Sequence, residues 1–273
     1  MTHHDPPSSA QVAPPPTLML RRLRPGARRL LQRRYDVRVH GTERVPASGP
    51  VIFAANHIGV LDGPLLAVFA PRPVHAWTKE EMFRGRTGRV LRRAGQIPLD
   101  RFTADPRAVR TALRVLRDGG AVGVFPEGSR GGGELHRFHH GAAYLALVSG
   151  APVVPVILLG TREPGGGLDS TPTRGGRIDL VFGPDVTIDA QPWPRSKGMV
   201  RDASMLLRER LLETLDETRE RTGRDLPGPL PAGQEEDDPE TGLVDEEPIG
   251  RAEHMTEDDA GTTPGSSTRS PGE

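Results

Sequence analysis

Short apolar runs that stop at Gly, Asn or a charged residue recur along this chain, and that rhythm limits it to layers of strands and helices. Val51-Ile52-Phe53-Ala54-Ala55 ends at Asn56-His57, and Val74 to Thr78 ends at Lys79. Ala121 to Phe125 ends at Pro126-Glu127-Gly128, and Val153 to Leu159 is almost wholly apolar. Runs this short and this uniformly apolar read as buried strands. Tyr35 to His40 alternates as a half-buried strand, and Arg177 to Phe182 makes a last one. Helical segments lie between them. Asp62-Gly63-Pro64 opens one that Pro71-Arg72-Pro73 stops; 84–93 reads as another. Asp105-Pro106 is an N-cap followed by proline at the first helical position, and Gly119-Gly120 closes that helix. Residues 141–149 and 196–222 supply two more, the second with Met199, Ala203, Leu206, Leu207, Leu211 and Leu215 facing inward. Strands alternating with helices imply an α/β layer fold.

Composition changes at both ends. Residues 1–16 are rich in Pro and Ser and read as disordered, without the apolar core of a secretory signal. Over 17–34, Leu18, Met19, Leu20, Leu23, Leu30 and Leu31 stand among many arginines. This is the pattern of a basic amphipathic helix lying on a membrane surface, or of one packed on the domain, and Pro25-Gly26 should kink or split it. Residues 35–226 form the folded domain and 227–273 an acidic tail that reads as disordered. The zero net charge hides a split. Residues 232–273 carry 13 Asp and Glu against 2 Arg, a net of −11, which leaves 34 Lys and Arg against 23 Asp and Glu, a net of +11, in residues 1–231. A basic body suits an anionic partner, and the acidic tail either stays solvated or folds back on that body and competes for it. An aromatic content of 4% leaves few stacking platforms, which argues against nucleic acid. With no cysteine there is no disulfide, thiol nucleophile or Cys-ligated metal. No apolar run is long enough to span a bilayer, so a peripheral protein at the cytoplasmic membrane face is expected.

In α/β sheets ligands collect at the carboxyl ends of the strands. His57, Lys79, Arg101, Glu127 and Arg130 follow such ends and would converge on one edge: a base, three cations and a carboxylate, with no metal cluster. His57 and Asp62 flank one tight turn. A histidine that acts as a base needs a carboxylate on its other ring nitrogen to fix its tautomer. The same two residues would also serve as a turn residue and a helix cap. Arg130 follows a Gly-containing loop, and Arg gives bidentate geometry to a phosphate. Arg101 has Asp100 and Asp105 as alternative partners, and Lys79 has Glu81. Glu127 would bond a polyol or brace the arginines, or serve a structural role. Ser129 lacks the Gly-x-Ser-x-Gly elbow of a nucleophile.

Asn56-His57 with Asp62, Gly95-x-Ile97 with Arg101, Phe125-Pro126-Glu127-Gly128-Ser129-Arg130, and Val154-Pro155-Val156 occur in that order. In this the chain resembles the lysophospholipid acyltransferase family, the 1-acyl-glycerol-3-phosphate acyltransferases and their relatives; Lys79 and Glu81 match a further segment, with Met82 where Leu is usual. The resemblance implies a mixed, largely parallel sheet flanked by helices. It implies transfer of a fatty acyl group from acyl-CoA or acyl carrier protein to a lysophospholipid hydroxyl, 1-acyl-glycerol-3-phosphate giving phosphatidic acid. A different lysolipid or glycolipid acceptor, or a non-catalytic binder of anionic lipid, are the alternatives. His57 would be the base and Asp62 its partner. Arg130, Glu127, Gly128, Ser129, Arg101 and Lys79 would hold phosphate and glycerol, with no cofactor beyond the thioester co-substrate. One departure is His139-His140-Gly141, where the family commonly has a basic pair before Gly-Ala.

Overall fold

The computed structural model describes residues 9–234, Glu236 and Val244. The strands are β1 (Asp36–His40), β2 (Val51–Ala55), β3 (Val74–Lys79), β4 (Ile97–Leu99), β5 (Ala121–Val124), β6 (Val153–Leu159) and β7 (Arg177–Phe182). They form one seven-stranded sheet in the order β1-β7-β6-β2-β5-β3-β4. From β6 across to β4 neighbouring strands are parallel; β7 runs antiparallel to β6 and carries β1 with it. The sheet is therefore mixed and largely parallel, as the resemblance implied, and the carboxyl ends of β2, β3, β4 and β5 open on one edge.

Helices α1 (Leu18–Arg34), α2 (Asp62–Phe69), α3 (Gly85–Arg93), α4 (Pro106–Arg117), α5 (Gly141–Ser149) and α6 (Lys197–Thr222) complete the fold. The period-2 geometry of β2 divides its side chains between two cores. Ile52 and Ala54 pack with buried residues of α4, α5 and α6, among them Leu116, Leu145 and Leu207. Val51, Phe53 and Ala55 pack with Leu65, Leu66 and Phe69 of α2 and with β6 and β7. Every residue of β2 is buried, so an uninterrupted apolar run is what this central strand requires.

Asp105 caps α4 as its spacing predicts, accepting from Arg107 N at 2.9 Å and Ala108 N at 3.1 Å. Two expectations change. α1 is not split at Pro25: it runs unbroken from Leu18 to Arg34. Arg24 donates to the carbonyls of Val68 and Ala70 and Arg28 to that of Phe69, so cations on both sides of the proline are anchored at the carboxyl end of α2. On α6 the inner stripe is not purely aliphatic. Ser204, Thr214 and Thr218 are buried beside Ala203, Leu207, Leu211 and Leu215, while Met199 is exposed. The threonine hydroxyls are accommodated because each bonds the carbonyl one turn back, at 2.7 and 2.6 Å. The disorder expected for residues 1–8, and for most of the tail after Glu236, falls outside the described residues.

Candidate active site

Asn56, just beyond β2, extends the sheet with its side chain: its amide accepts from Leu158 N at 2.7 Å and donates to Leu158 O at 3.1 Å. That fixes where the strand ends and where His57 begins. Asp62, the first residue of α2, is fully buried. Its Oδ2 accepts from Ile58 N at 2.7 Å, from Gly59 N at 2.8 Å and from His57 Nδ1 at 2.8 Å. A carboxylate only accepts, so Nδ1 carries the hydrogen and Nε2 is left with its lone pair. Gly59 is required by the tightness of this turn, since a Cβ there would lie 2.8 Å from Thr161 O. His57 also stacks on Phe125, with ring centroids 4.4 Å apart. Asp62 is not the helix cap, since Leu61 holds that position and the Asp62 side chain bonds the preceding loop instead of helical N–H groups; one carboxylate oxygen holds both that loop and the imidazole.

His57, Lys79, Arg101, Gly128 and Arg130 all line one cavity of about 1460 Å³, larger than the roughly 300–1,000 Å³ usual for small-ligand pockets. Its apolar wall includes Leu20, Leu23, Val60, Val68 and Leu91, contributed by α1, the loop from β2 to α2, α2 itself and α3. Arg101 donates to Gly128 O at 2.8 Å rather than to Asp100 or Asp105, so it is tied to the loop that carries Arg130. Gly128 sits at φ +74°, and a Cβ there would strike the His139 ring at 2.6 Å, so this close approach needs glycine. Lys79 does not pair with Glu81. Its ammonium and the Arg130 guanidinium both bond the carboxylate of Glu236, from the acidic tail. Burial draws the Lys79 ammonium below its usual range, with Arg101 and Arg130 pushing the same way and Glu236 opposing. Arg130 further donates to Leu168 O at 2.9 Å and to the exposed Asp169 at 3.1 Å.

Glu127 and Ser129 are not on the cavity wall among the described residues. Glu127 is buried, and its Oε1 accepts from His57 N at 2.7 Å, bracing the backbone of the histidine loop and not the arginines. Burial, the largest influence, pushes its carboxyl up to about 8, with Asp62 and Glu134 adding to the rise and the His57 and Leu135 amides opposing it. His139 and His140 line the cavity, and His140 Nδ1 lies 2.9 Å from Ser204 Oγ on α6.

Sequence reasoning missed Arg162. It is 1% exposed, and its guanidinium meets backbone carbonyls from separate loops: Ile58 O at 2.9 Å, Gly131 O at 2.9 Å, Gly166 O at 3.0 Å and Gly228 O at 2.5 Å. Because Gly131 N in turn donates to His57 O at 2.9 Å, Arg162 locks the histidine loop against the Arg130 loop. Burial lowers its pKa and the nearby Asp62 charge raises it. Nothing local marks this one arginine in so Arg-rich a chain.

A family model described as Acyltransferase matches residues 36–159. The 1-acyl-sn-glycerol-3-phosphate acyltransferase of Bacillus subtilis (strain 168) is 30% identical over 156 residues, covering 56% of this chain and 75% of the relative. The protein of the same description from Borreliella burgdorferi is 33% identical over 130 residues, or 46% of this chain, and the chain spans about half of it, 52%. The crystal structure of the 1-acyl-sn-glycerophosphate (LPA) acyltransferase PlsC from Thermotoga maritima aligns with a TM-score of 0.55 at 24% identity. That alignment covers 71% of this chain and 78% of the other, a likeness of fold.

Proposed function

Because the chain belongs to the lysophospholipid acyltransferase family, an O-acyltransferase family, we propose that it acylates 1-acyl-glycerol-3-phosphate to phosphatidic acid, with acyl-CoA or acyl carrier protein as donor. The observation that carries this reading is the hydrogen bond of His57 Nδ1 to the buried Asp62 at the wall of a large, partly apolar cavity. His57 Nε2 takes the acceptor hydroxyl's proton as that oxygen attacks the thioester carbonyl carbon. The C–S bond then breaks, and the proton on His57 passes to the departing thiolate. Asp62 holds the ring and stabilises the imidazolium that forms. A base so placed contributes roughly 10²–10⁴-fold. The acceptor's phosphate lies against Arg130, Lys79 and Arg101, and Gly128 lets the backbone come close. Glu127 acts behind them by setting the histidine loop.

The enzyme works on an anionic membrane surface, at the cytoplasmic face. In support, Leu18, Leu23 and Leu30 of α1 are 59%, 56% and 67% exposed among arginines, and Leu23, Met82 and Val90 are exposed where they line the cavity. Among the described residues no helix is long and apolar enough to cross a membrane.

The test is a thiol-release assay with purified protein, acyl-CoA and a panel of lysolipids. The 1-acyl-glycerol-3-phosphate acceptor should be used in preference to lysophosphatidylcholine, and Arg130→Ala should raise its KM. Equal use of both acceptors, with KM unmoved in the variant, would count against a phosphate cradle.

A further inference from the structure

Two cations of the cavity already hold a carboxylate of the same chain. Glu236 lies 106 residues beyond Arg130 and 157 beyond Lys79, so no local spacing imposes the contact. Its Oε1 accepts from Arg130 Nε at 2.8 Å and from Arg130 Nη2, and its Oε2 from Lys79 Nζ and from Arg130 N at 3.3 Å. A side-on guanidinium pair, a backbone N–H and an ammonium converging on one group are what a phosphate monoester would receive. The Glu236 side chain is only 7% exposed. Burial would raise its carboxyl, but the hydrogen bonds and charges of Lys79 and Arg130 prevail and bring it to about 2, so it stays ionised at any working pH.

The contact is built from both sides. Before it, the carbonyls of Gly228 and Pro229 accept from Arg162, and Gln234 Oε1 accepts from Leu168 N at 3.0 Å. After it, Val244 N donates to Phe138 O at 2.8 Å, next to His139 of the cavity wall. Leu168 O also takes a hydrogen from Arg130, so Gln234 and Arg130 meet on one loop.

We infer that Glu236 is an internal competitor, a carboxylate that an acceptor headgroup must displace from Arg130 and Lys79. This rests on the reading of those cations as the phosphate cradle. A phosphate monoester, with up to two negative charges and three free oxygens, replaces the carboxylate contacts one for one. A zwitterionic phosphodiester headgroup offers one charge and two free oxygens, and loses the exchange. The apparent dissociation constant of any ligand of the cradle is its intrinsic value divided by the fraction of molecules in which Glu236 has left it.

The experiment measures glycerol 3-phosphate binding by calorimetry to the full chain, to Glu236→Gln, to a chain ending at Gln234 and to Arg130→Ala. It is joined by KM for 1-acyl-glycerol-3-phosphate and for lysophosphatidylcholine. Removing one charged partner of the carboxylate pair should tighten glycerol 3-phosphate about 10-fold or more in Glu236→Gln and in the shortened chain. Arg130→Ala should lose binding, and KM for both acceptors should fall by a like factor in Glu236→Gln, because the same fraction divides each. If Arg130→Ala loses binding while Glu236→Gln and the shortened chain match the full chain, the competitor role is overturned and the cradle stands. If no variant differs from the full chain, the cradle falls and the inference with it.

Discussion

Replacing Asp62 by Asn changes one charge at the centre of the site while keeping its shape. The amide oxygen can still accept from Ile58 N and Gly59 N, so the turn before α2 survives. What is lost is the negative charge 2.8 Å from His57 Nδ1. At that separation and an effective dielectric near 20, two full charges attract by about 6 kcal/mol, or roughly four powers of ten in rate as a ceiling. The imidazolium charge is only partly developed in the transition state, so kcat should fall by about 10²–10⁴. KM for both substrates should hold, because Asp62 is fully buried and does not line the cavity. Steady-state thiol release from acyl-CoA reads both constants. A double variant with His57→Ala should be no slower than His57→Ala alone, since the carboxylate acts only through the imidazole. An Asp62→Asn enzyme within roughly threefold of wild type, less than 1 kcal/mol, would refute the role of the charge. So would rate losses that multiply in the double variant.

Arg162→Met strips hydrogens from the carbonyls of Ile58, Gly131 and Gly228; bonds to a charged donor contribute about 1.5–3 kcal/mol each, so a lower thermal midpoint should accompany a fall in kcat. Arg162→Lys, which keeps the charge but not the reach, should recover part of the midpoint and less of kcat; full recovery of both would limit Arg162 to a charge effect. Glu127 gives a pH signature. Its carboxyl sits at about 8 in the folded protein against 4.5 as the reference, so between those values the native state holds the extra proton. Stability from this group is therefore greatest below about pH 4.5 and declines as pH rises toward 8. Thermal melts across that window should show Glu127→Gln losing less than wild type on the alkaline side, and parallel curves would refute the assignment.

The fold was legible wherever a single strand or helix carried its own signal. β2, β5 and β6 are buried throughout and read as short, almost wholly apolar runs, and α4 has Asp105 and Pro106 at its start. His57 and Asp62 were legible for the same reason, since five positions of chain bring them together. Contacts that depend on tertiary placement were not. α1 continues through Pro25 and docks on α2 through Arg24 and Arg28, and the sequence carries no mark of that docking. Glu127 looks like a ligand residue beside Arg130, yet it points back to His57 N. The partner of Lys79 was sought two residues away and lies far along the chain. The charge split between body and tail suggested that such a contact was possible, but not which carboxylate would make it.

A single-turnover experiment bears most directly on the proposed chemistry. Enzyme in excess over acyl-CoA is mixed with 1-acyl-glycerol-3-phosphate, and phosphatidic acid is followed beside thiol release in wild type and in His57→Ala. Both products should appear together in the wild type, and both should slow by at least about 10² in the variant, with acceptor binding retained. Undiminished phosphatidic acid formation by His57→Ala would show that the proton is taken elsewhere.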